Sequence, residues 1–132
     1  MRSYVIETQK LFVPALAAFL EKAGLKVEKT ASQVDLRDLL TEQPQLVFID
    51  LDFLDGEPLE TISIVRMLLP TAVICAYTTV KGGVTWPKAC HYAGANAVFS
   101  KSAQEDEVVA GLRTAIETGS FTDSRLLERG DR

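Results

Sequence analysis

Short apolar runs alternate with longer stretches of helical periodicity along the chain, and this alternation limits the possible folds more than any other feature. One run, from Leu25 to Lys29, alternates apolar and charged residues, which is typical of a strand at the edge of a sheet. The other four are apolar at successive positions, as in strands that are covered on both faces. These four runs are Tyr4 to Ile6, Leu46 to Ile49, Ala72 to Tyr77 and Ala97 to Phe99.

Five amphipathic stretches separate and follow these strands, each with apolar residues three or four positions apart. Ser32 with Asp35 predicts the start of the second helix, and Ser102 with Glu105 predicts a capping box at the start of the fifth. Pro14 conflicts with a helix that begins at Gln9, because proline removes a backbone donor. We therefore expect the first helix to start late or to bend.

Repetition of a strand followed by a helix predicts a doubly wound parallel sheet with helices on both faces, since parallel strands need right-handed crossovers. The edge character of the second strand favours the flavodoxin-like strand order 2-1-3-4-5. The 132 residues suffice for one domain. We assign it to residues 1–119, and residues 120–132 to a polar tail or the start of a linker, in which Leu126 and Leu127 could add one helical turn.

Composition excludes several classes of function. The net charge is -4 and neither sign forms a block, so the chain alone is not expected to bind nucleic acid. The longest apolar run, from Leu11 to Leu20, is shorter than the roughly 18 residues of a membrane span. Two cysteines and one histidine cannot form a four-ligand zinc site or a disulfide framework. We expect a soluble cytoplasmic protein.

Polar side chains follow the predicted strands at the point where ligands bind to open α/β sheets. Because the first, third and fourth strands are neighbours in the predicted order, their carboxylates and hydroxyls should converge on one rim with a lysine. Carboxylate oxygens suit Mg²⁺, and a lysine and a hydroxyl can hold a phosphoryl group that one carboxylate carries. The strand-end residues are Glu7 and Thr8, Asp50 and Asp52, Thr78 and Thr79, and Ser100 and Lys101.

Four stretches carry a resemblance to a known family. They are Leu46-Val47-Phe48-Ile49-Asp50-Leu51, Leu59-Glu60-Thr61, Pro70 to Thr78, and Ala93-Gly94-Ala95 followed by Lys101. Over residues 2 to 118 the chain resembles the receiver domain of two-component response regulators. The resemblance is closest to receivers that precede a LuxR-type helix-turn-helix output domain.

The resemblance implies a role for each matching residue. Asp50 would accept a phosphoryl group from a histidine kinase, Thr78 rather than Thr79 would contact that group, and Lys101 would pair with it. Mg²⁺ would be held by Glu7, Asp50 and Asp52. The chain would be a signalling module rather than an enzyme, beyond accepting a phosphoryl group from donors and losing it again. It could form a homodimer through its fourth helix, fifth strand and fifth helix. DNA contact would need an output domain that this chain lacks, and no membrane contact is expected.

Departures from the family pattern leave alternatives open. Thr8 replaces the second acidic residue after the first strand, which is the direct metal ligand, so Mg²⁺ binding should be weak. Val98 replaces the aromatic residue that rotates on activation in many members. A degenerate receiver that works through constitutive protein contacts or dimerisation is therefore the alternative function. Glu7 could instead be a partner of Lys101, and Asp52 a solvated loop charge. A flavin site at the same rim is disfavoured, because the acidic groups would repel the cofactor phosphate.

Overall fold

Six parallel strands form one sheet in the computed structural model, which describes residues 1–79 and 85–127. Their order is β2-β1-β3-β4-β5-β6, so the predicted order of the first five strands is confirmed and a sixth strand is added at the edge. The strands are β1 (Arg2–Ile6), β2 (Lys26–Ala31), β3 (Leu46–Asp50), β4 (Val73–Thr78), β5 (Ala97–Ser100) and β6 (Phe121–Thr122).

The five predicted helices are all present and cover both faces of the sheet. The α-helices are α1 (Val13–Lys22), α2 (Leu36–Glu42), α3 (Pro58–Leu68), α4 (Thr85–Ala93) and α5 (Glu105–Thr118). Helices α1 and α5 pack on one face, around Leu16, Phe48 and Leu112. Helices α2, α3 and α4 pack on the other face, where Ile49 and Ile62 belong to a second buried cluster. The fold is therefore the doubly wound α/β arrangement that the sequence predicts.

The first helix starts late, as Pro14 predicts. A short 3-10 helix, Lys10–Phe12, precedes α1, and Pro14 lies in the first turn of α1. A backbone N–H in the first turn has no partner within the helix, so proline costs little there. The late start leaves Phe12 and Ala15 near the carboxyl end of β1, where they contribute to a cavity described below.

The predicted starts of two helices are wrong by a few residues. Helix α2 is capped by Asp35, whose carboxylate accepts a hydrogen bond from the Asp38 N–H at 3.0 Å, and not by Ser32. In α5, Gln104 is the capping residue, and its N–H donates to the Glu107 carboxylate at 2.8 Å. In both cases the capping residue has an extended backbone, so the helix cannot begin earlier in the chain.

The segment after α5 packs on the domain more closely than its polar composition suggests. Strand β6 pairs with β5, with Ala97 opposite Phe121 and Val98 opposite Thr122. A 3-10 helix over Ser124–Leu127 provides the predicted turn, and Leu126 is 1% exposed. A strand of two residues is too short to leave a periodic signal in the sequence. Residues 128–132 of the predicted tail lie outside the described residues.

Within residues 1–79 and 85–127, no helix combines the length and the apolar character that crossing a bilayer requires. The side chains of Cys75 and Cys90 are both buried in the core. Cys75 lies in β4 between the two helical layers, which is the packing role of a small apolar residue.

Candidate functional site

A lysine bridges two aspartates at the carboxyl edge of the sheet. The Lys101 Nζ lies 2.7 Å from Oδ2 of Asp50 and 2.9 Å from Oδ2 of Asp52. Asp50 is the last residue of β3 and is 1% exposed, whereas Lys101 directly follows β5. The register of the sheet brings the two residues together. Strand β4 lies between β3 and β5, with its Tyr77 opposite Asp50 and its Thr78 opposite Ser100, the residue before Lys101.

The surroundings of Lys101 raise the pKa of its ammonium group. Desolvation alone would lower the pKa of the ammonium, but its hydrogen bonds to Asp50 and Asp52 outweigh desolvation and raise it. Two aromatic rings add to the stabilisation of the cation. The Lys101 Nζ lies 5.6 Å from the ring centre of Tyr77 and 5.9 Å from that of Phe53, within the range of cation–π contacts. Lys101 is therefore held as a cation at the rim.

Glu7 is buried beside Asp50 and is 2% exposed. Its Oε2 accepts a hydrogen bond from the Gln9 N–H at 3.0 Å, and its carboxyl group is hydrogen-bonded to that of Asp50. Burial, together with the contact to Asp50, raises the pKa of Glu7 to about 7. Below about that pH, Glu7 therefore carries a proton. Among the described residues, the ion pairs of Lys101 join it to Asp50 and Asp52 and not to Glu7.

Thr8 bonds to the loop that follows β3. Its hydroxyl donates a hydrogen bond to the carbonyl oxygen of Phe53 at 3.3 Å. The Gln33 side-chain amide donates to the same carbonyl at 3.2 Å and accepts from the Asp55 N–H at 2.9 Å. Phe53 has φ of +69°, a conformation that is unusual for a bulky residue. These contacts therefore hold the loop in a fixed and strained shape.

Thr78 lies at the rim but bonds toward α4 rather than toward Asp50. Its hydroxyl accepts a hydrogen bond from the Trp86 indole Nε1 at 3.2 Å and donates to the Thr79 carbonyl at 3.1 Å. The Thr78 side chain is fully buried, whereas Thr79 is exposed. The Lys101 N–H donates to the Thr78 carbonyl at 2.9 Å, so the two residues are adjacent through the backbone.

The structure adds residues to the site that the sequence did not single out. Trp86, Gln33, Phe53 and Tyr77 all contact a predicted site residue. None of them follows a strand as a charged or hydroxyl side chain, which is the signal that selected the others. That Trp86 is the chain's one tryptophan was visible in the sequence, but its contact with Thr78 was not.

A cavity of about 190 Å³ opens beside the bridged carboxylates. Its walls are mostly apolar and come from α1 and β4, with the 3-10 helix that precedes α1. Its polar groups are the buried carboxyl groups and the bridging lysine. The lining residues are Glu7, Phe12, Ala15, Leu16, Phe19, Asp50, Tyr77 and Lys101.

Most of the oxygen groups predicted to bind Mg²⁺ are engaged within the protein, but Asp52 Oδ2 is buried with an ion pair to Lys101 and no hydrogen-bond partner. Lys101 holds Asp50 and Asp52, and Glu7 is hydrogen-bonded to Asp50. The hydroxyl of Thr8 is directed to the Phe53 carbonyl. In the part of the chain that is described, no group of three or more His, Cys, Asp or Glu side chains is arranged to hold a metal ion. In this arrangement Mg²⁺, which requires near-octahedral oxygen coordination, would have to take the place of Lys101 at Asp50 and Asp52.

Comparison with known proteins gives matches in structure only. No protein-family model matches the chain, and no curated protein matches it in sequence. The isolated REC domain of RcsB from Salmonella enterica serovar Typhimurium, solved with the phosphomimetic BeF3-, is similar at a TM-score of 0.77 and 17% identity. That alignment covers 97% of this chain and 99% of that chain.

Two other solved structures show the same similarity. A LuxR-family two-component response regulator from Aurantimonas sp. matches at a TM-score of 0.75 and 21% identity, over 93% of this chain and 89% of that chain. A response regulator protein from Burkholderia pseudomallei, solved with a phosphorylated aspartic acid, calcium ion and citrate, matches at 0.71 and 24% identity. That alignment covers 88% of this chain and 68% of that chain. The chain therefore has the flavodoxin-like fold of response-regulator receiver domains.

Proposed function

We propose that this chain is a receiver-type signalling module that works through protein contacts, without metal-assisted phosphorylation of Asp50. The observation that carries this proposal is the bridge of Lys101 to Asp50 and Asp52, at 2.7 Å and 2.9 Å. The receiver fold supports a role in two-component signalling. The charged side chains at the rim are paired with one another, which favours a degenerate receiver that acts without phosphorylation.

The charge balance of the rim explains why a metal ion is not needed for its stability. Three carboxyl groups would repel one another at the end of a sheet unless a cation or a proton intervened. Here Lys101 pairs with Asp50 and Asp52, and the raised pKa of Glu7 keeps a proton in its contact with Asp50 near neutral pH. The protein thus supplies internally the positive charge that a divalent ion would bring.

A route from the rim to the surface passes through Thr78 and Trp86. Val98 is a small buried side chain in β5 and offers no ring that could rotate. The hydrogen bond from Trp86 to Thr78 instead connects the end of β4 with α4. Strand β5 is buried and covered by β6, so it cannot belong to the α4, β5 and α5 face expected from the sequence. We therefore place the partner surface on the exposed sides of α4 and α5, for a second copy of the chain or another protein of the signalling system.

Phosphorylation of Asp50 is the second candidate function. It is favoured by the position of Asp50, Thr78 and Lys101 at the ends of neighbouring strands, where a phosphoryl group on Asp50 could meet a hydroxyl and an ammonium. A histidine kinase would then be the donor. Mg²⁺ would have to displace Lys101 or the proton on Glu7, since both occupy oxygens of the predicted ligands.

A phosphodonor assay separates the two functions. The chain is incubated with acetyl phosphate and Mg²⁺, and its intact mass is measured beside the Thr8→Asp and Asp50→Asn variants. We expect no added phosphoryl group on the natural chain. Thr8→Asp, which restores the second acidic position, should gain one phosphoryl group, and adding Asp50→Asn should abolish that gain. A phosphoryl group on the natural chain that Asp50→Asn removes would establish the second candidate instead.

A further inference from the structure

The cavity next to Asp50 combines aromatic walls with a charged end. Phe12, Phe19 and Tyr77 contribute rings to the lining, and Leu16 adds an aliphatic side chain. An apolar wall with a few converging polar groups is the usual form of a small-molecule site. This cavity differs from a flat acidic patch, because apolar side chains form most of its lining.

The volume limits the size of the occupant. At about 190 Å³ the cavity is comparable to the engineered apolar cavity of roughly 150 Å³ that takes up benzene. A single six-membered ring with one short substituent would fill it. A nucleotide or a flavin ring system needs a site of several hundred Å³, which is outside this size.

The charged groups at the end of the cavity determine which charge a bound molecule should carry. Glu7, Asp50 and Lys101 line the cavity, and Asp52 lies behind Lys101. Because Glu7 carries a proton in its contact with Asp50, two carboxylates, Asp50 and Asp52, stand against the one ammonium of Lys101. Within the described residues, Lys101 is paired with both aspartates, and no cation is paired with Glu7. A ligand cation would complete this balance, whereas a ligand anion would face an excess of negative charge.

We propose that this cavity binds a small organic amine whose apolar body is a single ring. The ring would pack between Phe12, Phe19 and Tyr77, and the ammonium would donate hydrogen bonds to the carboxyl groups of Glu7 and Asp50. Binding at this place would act on the same residues that Lys101 bridges, so an amine could control the rim directly. The proposal goes beyond the proposed function and holds whether or not Asp50 accepts a phosphoryl group.

Three matched probes test the charge preference on the full chain. Benzylamine, benzyl alcohol and benzoate share one ring and differ in the charge of the substituent. Each is titrated into ¹⁵N-labelled protein, and the amide signals of Ala15, Leu16 and Tyr77 are followed. Benzylamine should bind about tenfold more tightly than benzyl alcohol, as expected for one additional charged hydrogen bond, and benzoate should bind most weakly. Equal affinities for the three probes, or no saturable shift with benzylamine, would overturn the proposal.

Two variants locate the binding site. Ala15 lines the cavity but is exposed on α1, so Ala15→Phe should fill the opening without disturbing the core and should abolish benzylamine binding. Ala110→Phe, at an exposed position of α5, is the matched control and should leave the affinity unchanged. Benzylamine binding that persists in folded Ala15→Phe, as judged by its NMR spectrum, would contradict the assignment of the site. These outcomes do not depend on the result of the phosphodonor assay.

Discussion

The hydroxyl of Thr8 donates a hydrogen bond to the carbonyl oxygen of Phe53 and so ties the end of β1 to the loop after β3. This hydrogen bond fixes the position of the loop without a metal ion. Gln33 makes a second contact to the same carbonyl. The loop is consequently held closed by neutral hydrogen bonds, which magnesium chelators would not break.

Removing the Gln33 side chain should loosen this loop. Gln33→Ala deletes the donor to Phe53 and the acceptor for the Asp55 N–H, so we expect the free energy of unfolding to fall by about 1 kcal/mol. Hydrogen exchange at the Asp55 amide should become faster. Gln9→Ala, at an exposed position, is the control for urea unfolding and should change the stability very little. Equal effects of the two substitutions would show that the Gln33 contacts contribute nothing.

Removing the Lys101 ammonium should leave a buried carboxylate without its cation. Lys101→Met is expected to lower the free energy of unfolding by about 3 kcal/mol at neutral pH, the scale of breaking one side of a buried ion pair. Adding Asp50→Asn should recover part of that loss, because the more deeply buried of the two uncompensated charges is then gone while Asp52 still lacks its cation. Lys22→Met, which breaks an exposed pair with Glu105, is the surface control and should cost less than about 1 kcal/mol. A loss from Lys101→Met that does not exceed the control would contradict the bridge.

The raised pKa of Glu7 predicts how stability changes with pH. Between its ordinary pKa of 4.5 and its folded value of about 7, the unfolded chain releases the Glu7 proton while the folded chain keeps it. The unfolded state then binds fewer protons, so the Glu7 contribution to stability falls as pH rises through this window. Glu7→Gln cannot titrate, and its stability should decline less than that of the natural chain between these pH values. Parallel pH profiles of the two proteins, measured by urea unfolding, would contradict the assignment.

The hydrogen bond between Trp86 and Thr78 can be followed by fluorescence, because the chain has one tryptophan. Thr78→Val keeps the shape of the side chain but removes the acceptor, so it should change the Trp86 emission and lower the free energy of unfolding by about 1 kcal/mol. Thr79→Val, at the exposed neighbouring position, should change neither quantity. A response to Thr79→Val but not to Thr78→Val would contradict the hydrogen bond between Trp86 and Thr78.

Much of the fold could be predicted from the sequence because the buried strands are continuous apolar runs. The edge strand was recognisable from its charged alternation, and Pro14 correctly predicted the late start of α1. Ligands bind at the carboxyl ends of the strands in such sheets, and this rule correctly predicted that Asp50 and Lys101 lie close together. These inferences depend on periodicity and strand order, which one sequence contains.

The parts that could not be predicted depend on side-chain geometry across distant elements. The sequence left Glu7 open as a partner of Lys101 or a metal ligand, and only the structure shows its contact with Asp50. Gln33 and Trp86 reach the site from the segment after β2 and from α4, so no local pattern marks them. The caps of α2 and α5 were misplaced because several polar residues near each start can serve as caps.

Titration with Mg²⁺ shows whether the protein's own groups keep the rim occupied. The natural chain and Thr8→Asp are titrated under identical conditions, and the amide signals of Asp50 and Lys101 are recorded by NMR. We expect saturable Mg²⁺ binding in Thr8→Asp and no saturation in the natural chain at physiological concentrations. Saturation of the natural chain at sub-millimolar Mg²⁺ would contradict this expectation.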